Sequence, residues 1–173
     1  MPEVVVLRTE EVPGPLLVAV RALMDDAFGD RFDDDDWEHG LGGWHVLACD
    51  GTDVVAHAAV VGRRIAVADR WFDCGYVENV ATAPRRQRQG LGRLVMAAAG
   101  DLVVEHHELG CLSTSSWGFY ERLGWERWRG PSYAGEERTA DEDDGIMVLR
   151  FGPSAEVDPA SPIRCEPRAG DDW

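Results

Sequence analysis

Apolar positions along the chain change period several times, and these changes divide it into elements. Val4–Leu7 is a short β-branched run that predicts a first strand. From Leu16 to Phe28, apolar residues fall at 16, 17, 20, 23, 24, 27 and 28, the spacing of an amphipathic helix. A short helix is predicted around Trp37, after four consecutive aspartates at 33–36. Trp44–Cys49 and Val54–Val61 are apolar runs separated by Asp50-Gly51-Thr52-Asp53, which predicts a hairpin. Ile65–Val67 and Trp71–Ala81, divided by a turn at 68–70, continue an antiparallel meander. Leu91, Leu94, Val95, Ala98 and Leu102 define one face of a helix running from Gly90 to about His107 and ended by Gly110. Cys111–Thr114 is a short strand. Trp117–Leu123 is a short helix capped by Gly124, and Trp125–Trp128 and Ile146–Phe151 are further strands. The stretch 130–145 is polar and reads as loop, and 153–173, with prolines at 153, 159, 162 and 167, reads as an extended tail. This order predicts an α+β or mixed α/β fold with a largely antiparallel central sheet flanked by helices. The expected division is a domain over 1–152 and a tail over 153–173.

Composition narrows the classes. At 173 residues, one domain with a full core is expected. A net charge of −15 argues against nucleic acid, which needs a basic face, and is compatible with a cationic ligand. No apolar run approaches the roughly 20 residues of a membrane span, and the first residues lack a basic-then-apolar signal pattern. A soluble, cytoplasmic protein without a membrane partner is therefore expected. Cys49, Cys74, Cys111 and Cys165 are scattered singly, so free thiols are expected. His106 and His107 are adjacent on a helix and point apart, with no further ligand at a zinc spacing, so no metal is expected. His57, in an apolar strand, reads as a packing residue. The aspartates at 33–36 must be relieved by a cation or a helix N-terminus. They read either as a solvated N-cap run or as one wall of a site for a polycation.

The chemistry gathers in 76–100. Gln87-Arg88-Gln89-Gly90-Leu91-Gly92 puts two glycines where a loop becomes a helix, with Arg85, Arg86 and Arg88 beside them in an otherwise acidic chain. N–H groups at a helix start are unpaired and carry the positive end of the dipole, which suits a pyrophosphate. A P-loop is excluded because Gly92 is followed by Arg93-Leu94. A dinucleotide fingerprint is excluded by the missing third glycine and the mid-chain position. The run from Gln87 resembles the Q/R-x-x-G-x-G/A signature of the GNAT N-acetyltransferases. So does the preceding Val80-Ala81-Thr82-Ala83-Pro84, and Phe119-Tyr120 with Gly124-Trp125 resembles the pattern near the end of that domain. The resemblance implies the GNAT fold and acetyl-CoA as co-substrate, held by Val80, Ala81, Thr82, Gln87, Arg88, Gln89, Gly90, Leu91 and Gly92.

Acetyl transfer to an amine needs a base for the amine, a donor to the thioester carbonyl and a proton for the departing thiolate. Glu78, on the strand just ahead of the loop, is the candidate base, directly or through a water; the alternative is a sheet-surface glutamate in a salt bridge. Tyr120 stands where related enzymes put a tyrosine near the CoA sulfur, and the alternative is an aromatic packing residue. A covalent route through Cys74 or Cys111 is disfavoured, because neither has a histidine nearby in sequence.

The chain also resembles the aminoglycoside 2′-N-acetyltransferases over nearly its whole length. This likeness rests on Asp36-Trp37-Glu38-His39 with Leu41-Gly42-Gly43, on Ala56-His57-Ala58-Ala59-Val60, and on Cys74-Gly75-Tyr76-Val77-Glu78. It extends to Trp128 with Gly130-Pro131, Asp143-Asp144-Gly145, and Arg168-Ala169-Gly170-Asp171 with Trp173. It implies a homodimer and a cationic aminoglycoside as acceptor. The acceptor would be bound by Asp30, Asp36, Asn79, Ser113, Asp143, Asp171 and Trp173 with its carboxylate. Asn79 stands in place of a glycine, and Arg31 where an acidic contact is expected. These departures keep kasugamycin open as the acceptor. A GNAT acting on a polyamine, peptide or metabolite amine is a second reading, and a non-catalytic acyl-CoA-binding module a third.

Overall fold

The computed structural model describes residues 1–139 and 145–173. The chain forms two compact units, Met1–Val61 with Val77–Asp101, and Gly62–Tyr76 with Leu102–Trp173. The strands are β1 Glu3–Arg8, β2 Trp44–Asp50, β3 Asp53–Val67, β4 Arg70–Thr82, β5 Leu109–Thr114, β6 Glu126–Arg127, β7 Ser132–Ala134, β8 Glu137–Arg138, β9 Gly145–Arg150 and β10 Ile163–Cys165. The helices are α1 Gly14–Phe28, α2 Asp34–His39, α3 Leu91–His106 and α4 Trp117–Glu121. The expected mixed α/β class is the one found.

In the first unit, β1 runs antiparallel to β2, from Glu3 opposite Cys49 to Arg8 opposite Trp44. β2 pairs antiparallel with the first part of β3, His45 opposing Ala59 and Leu47 opposing His57. α1 starts behind Pro13, with Pro15 in its first turn where a missing N–H costs nothing, and stops at Gly29, whose φ is +59°. Its Val20, Leu23 and Met24 bury against Leu47, Ala81 and Ala83, with Leu16, Phe28, Phe32 and Trp37 packed around them. Each large side chain buried in this way stabilises the unit by roughly 1.5–3 kcal/mol.

The second unit has the hydrogen-bonded order β6-β9-β5-β4-β3-β10-β7-β8, to which β3 contributes its end and β4 its beginning. Cys74–Tyr76 of β4 pair parallel with Leu109–Cys111 of β5, and β10 is parallel to β7. β5–β9, β6–β9, β10–β3 and β7–β8 are antiparallel.

Five details depart from the hydropathy reading. The runs 54–61 and 65–67 are one strand, β3, which passes through Gly62 without a break. Gly110 does not end the helix. α3 stops at His106 and Gly110 lies inside β5, where an added Cβ would sit 2.9 Å from Leu149 Cβ and 3.0 Å from Trp125 and Val103. The buried residues of α3 are Leu91, Val95, Met96, Ala99 and Val103, while Leu94 is exposed. Apolar residues surround most of this helix, so spacing alone did not single out the inward face. The stretch read as loop holds β7 and β8, and the tail holds β10 with Ile163 and Cys165 fully buried. Two apolar residues between Pro162 and Pro167 make too short a period to read as a strand.

Candidate active site

The donor-side candidates lie on consecutive backbone of the first unit. Glu78, Asn79 and Val80 are half-buried on β4, followed by buried Ala81, half-buried Thr82 and a helical turn at Pro84–Arg86. Asn79 has φ +51°, the left-handed region that a non-glycine residue enters at a cost and that asparagine tolerates best. The pleat is therefore kinked next to Glu78, within β4. This gives the departure at 79 a physical reading: both glycine and asparagine suit a left-handed residue.

The loop that follows has two more left-handed residues, Arg88 at +61° and Gly90 at +82°, on either side of Gln89. Such backbone turns successive N–H groups towards a concavity. The first helical bond of α3 runs from Leu94 N to Gly90 O, so the N–H groups ahead of it have no intrahelical partner. No acidic residue occupies the first turn of α3, and a Cβ built on Gly90 meets nothing within 4 Å. Arg86 is committed to Asp50 at 2.8 Å and to Gln89, and Arg85 reaches Asp53 at 3.8 Å. Arg88 is exposed and makes no ion pair among the described residues. A helix of this length with an open, cationic, glycine-edged start fits a pyrophosphate.

The aspartate run is relieved in both of the ways its charge demands. Asp33 caps α2, its carboxylate accepting from Asp36 N at 2.9 Å, while Asp36 accepts from Asp33 N at 3.0 Å. Arg21 pairs with Asp34 at 3.0 Å and with Asp25 at 3.1 Å. Asp30 and Arg31 are exposed in the turn Gly29–Arg31. Gly40, the C-cap of α2, lies against Asn79, and a Cβ at Gly40 would fall on the Asn79 amide. Thus the helix carrying Asp36 ends against the residue beside Glu78.

His57 is fully buried, as its apolar strand implied, but it also makes two hydrogen bonds. Its Nδ1 is 2.7 Å from the Asn79 carbonyl oxygen, and its Nε2 is 2.9 Å from His45 Nδ1. Burial pushes its pKa down to about 3 and lowers that of His45 as well, so both rings are neutral at pH 7. Hydropathy gave no sign of His45. The clue is in the pairing register, which sets His45 and His57 diagonally on one face of β2 and β3.

In the second unit, Ser113 is half-buried on β5, and Tyr120 is buried on α4, edge-to-face with Phe119 at 4.9 Å. Burial pushes the Tyr120 phenol up to about 12, so it holds its proton throughout the neutral range. In the tail, Arg168 N donates to Asp172 Oδ1 at 3.0 Å and Arg168 Nε to the Asp171 carbonyl at 2.7 Å. The Asp171 side chain is exposed and Trp173 is half-buried. Asp143 lies outside the described residues. Cys74 and Cys111 are fully buried, and burial holds the Cys74 thiol well above its usual range, which removes it as a thiolate nucleophile. His107 is bound through Nδ1 to Asp73 at 2.9 Å. Among the described residues no group of three or more His, Cys, Asp or Glu is placed to hold a metal ion, and no helix is long and apolar enough to cross a membrane.

Residues 16–128 match the acetyltransferase (GNAT) domain family, and the chain belongs to the GNAT acetyltransferases. Acetyl-CoA is the donor these enzymes use, in keeping with the open start of α3. Over 161 residues the chain is 41% identical to an aminoglycoside 2′-N-acetyltransferase from Mycolicibacterium fortuitum, covering 88% of this chain and 83% of that protein. Its fold resembles that of the GNAT-family N-acetyltransferase YhbS from Escherichia coli, solved in complex with CoA. There the TM-score is 0.70 with 16% identity, over 95% of this chain and 89% of the other. A GCN5-related N-acetyltransferase from Kribbella flavida matches with TM-score 0.60 and 18% identity over 73% of this chain, which spans 34% of that larger protein.

Proposed function

We propose that this acetyltransferase transfers the acetyl group of acetyl-CoA to the 2′-amino group of an aminoglycoside, in the cytoplasm. The 41% identity to a protein of that name, over 88% of the chain, carries the reading. Acetyl-CoA, when bound, supplies the thioester. Glu78 takes the amine proton, directly or through a water, and N–H groups around Val80 donate to the thioester carbonyl. The open start of α3 with Gln87–Gly92 holds the pyrophosphate, and Arg88 is its cation. Tyr120 gives a proton to the departing sulfur; burial keeps its phenol protonated throughout the neutral range. The acceptor-binding roles carried over from the resemblance fall to Asp30, Asp36, Asn79, Ser113, Asp143, Asp171 and Trp173, with the tail 153–173 completing the acceptor side. Exposed ion pairs contribute below about 1 kcal/mol each, so several are needed to hold one polycation. The resemblance also implies a homodimer.

Release of free CoA with kanamycin B, gentamicin, tobramycin and kasugamycin tests the assignment, with kanamycin A, which lacks a 2′-amine, as control. Turnover of kanamycin B without turnover of kanamycin A is the expected result. Equal turnover of the two kanamycins would remove the 2′ position, and turnover of kasugamycin alone would move the acceptor to that antibiotic.

A further inference from the structure

Two fully buried histidines are unused by the chemistry above, and their bonds run from one edge of the first unit to the residue beside Glu78. Gly42 N donates to Thr9 Oγ1 at 2.9 Å, and Thr9 Oγ1 is 2.8 Å from His45 Nε2. His45 Nδ1 is 2.9 Å from His57 Nε2, and His57 Nδ1 is 2.7 Å from the Asn79 carbonyl oxygen. The last contact sets the direction of all the others. A carbonyl only accepts, so His57 Nδ1 carries its proton and its Nε2 is an acceptor. His45 Nδ1–H must then donate to His57 Nε2, which leaves His45 Nε2 to accept from the Thr9 hydroxyl. Both rings are thus in the neutral Nδ1–H form, the opposite of the Nε2–H form that free neutral histidine favours. A second proton on His57 would face the His45 N–H, which agrees with the low basicity that burial already imposes on both.

The chain ends at a backbone position that needs support. Asn79 is left-handed, a conformation that persists in a side-chain-bearing residue only where its surroundings over-determine it. Two contacts do so. Its side chain lies on the bare Cα of Gly40, and its carbonyl is held by His57. The carbonyl of residue 79 and the N–H of residue 80 share one peptide plane, so fixing one orients the other. That N–H belongs to the group assigned to the thioester carbonyl, and the residue on the other side of Asn79 is Glu78.

We propose that His57, oriented by His45 and Thr9, is a positioning residue that holds the left-handed kink at Asn79 within β4 and thereby the place of Glu78 and the direction of the Val80 N–H. The catalytic half of this statement rests on the acetyl-transfer reading, and the conformational half does not.

The amide side chains distinguish the two ring nitrogens. Asparagine can keep a donor near the His57 Nδ1 position, whereas glutamine keeps one near Nε2. With 13C,15N-labelled histidine, both buried rings of the wild type should be neutral Nδ1–H tautomers at pH 7; an Nε2–H or doubly protonated His57 would overturn the chain of bonds. Amide resonances of Glu78–Val80 should move in His57→Gln and stay close to wild type in His57→Asn, and equal movement in the two folded variants would overturn the support of Asn79. In kinetics, His57→Gln should lower kcat about 10- to 100-fold, the range expected when a reacting group is misplaced by an ångström or less. His57→Asn should recover most of that loss, with the KM for acetyl-CoA within about twofold in both. Equal kcat losses in the two variants, or a loss confined to KM, would overturn positioning. If the wild type acetylates no acceptor, the functional reading fails, and the tautomer and amide measurements still decide whether His57 holds Asn79.

Discussion

The loop Gln87–Gly92 and the strand kink at Glu78–Asn79 lie a few residues apart in one unit, yet they acquire their shapes in opposite ways. The loop shapes itself. Its left-handed Gly90, the unpaired N–H groups of α3 and an acid-free first helical turn all come from adjacent residues. The kink at Asn79 is held from outside, by Gly40 at the end of α2 and by His57 and His45 on β3 and β2. An anion cradle needs only exposed backbone N–H groups, whereas a base must stand at a defined point relative to the atom it deprotonates. The first demand can be met by a few consecutive residues; the second takes support from several strands.

Substitutions should separate the two regions by the kinetic constant they change. Glu78→Gln should have the largest effect, lowering kcat by about 10²- to 10⁴-fold, the usual contribution of a general base, with the KM for acetyl-CoA within about twofold. An unchanged kcat would remove Glu78 as base.

The next effect is on stability. His57 is held down to about 3 in the folded protein, against 6.5 for the free side chain. Between these values the unfolded chain binds the additional proton. The contribution is therefore complete above pH 6.5 and is lost as pH falls towards 3, by at most about 1.4 kcal/mol per pH unit. Urea unfolding between pH 4 and 7 should show a smaller loss of stability with acid for His57→Asn than for wild type. Parallel curves would show that His57 takes up its proton equally in both states.

Gly40→Val places a branched side chain on the Asn79 amide and should lower kcat about 10-fold or more without weakening acetyl-CoA. It is the sharpest probe of outside support, because Gly40 belongs to neither the base nor the loop. A KM effect alone would erase the distinction between the regions.

Gly90→Val forces a β-branched residue to a φ of +82° in open space, so its penalty is conformational, roughly 1–2 kcal/mol. Its main effect should be about a 10-fold rise in the KM for acetyl-CoA, with kcat at saturation nearly unchanged. A large fall in kcat would place the loop in the chemistry rather than in binding.

Much of this molecule was legible without coordinates. The seven-position spacing in Leu16–Phe28, the turn at Asp50–Asp53 and the glycines of the loop carry local preferences strong enough to survive folding, and α1, the β2–β3 hairpin and the start of α3 lie where they predict. The motif at Gln87–Gly92 pointed to the family that the chain belongs to. Other features left no local trace. β10 is only Ile163–Cys165, and it is a strand because β3 and β7 supply hydrogen-bond partners on its two sides. Gly110 looked like a helix stop because glycine is common there, but its place in β5 follows from Leu149, Trp125 and Val103 crowding the position of its missing Cβ.

The sequence by itself determined α1, the β2–β3 hairpin, the start of α3 and the class of fold, and it singled out the candidate cradle at Gln87–Gly92 and the carboxylate at 78, because these depend on which residue types stand next to one another along the chain. The tertiary structure alone decided that position 79 is left-handed, that Gly40 and His57 hold it there, and that His45 completes the support. Residues 40, 45, 57 and 79 become neighbours only through the pairing of β2 with β3, the order β3–β4 and the packing of α2, and no periodicity along one segment encodes a contact made by four.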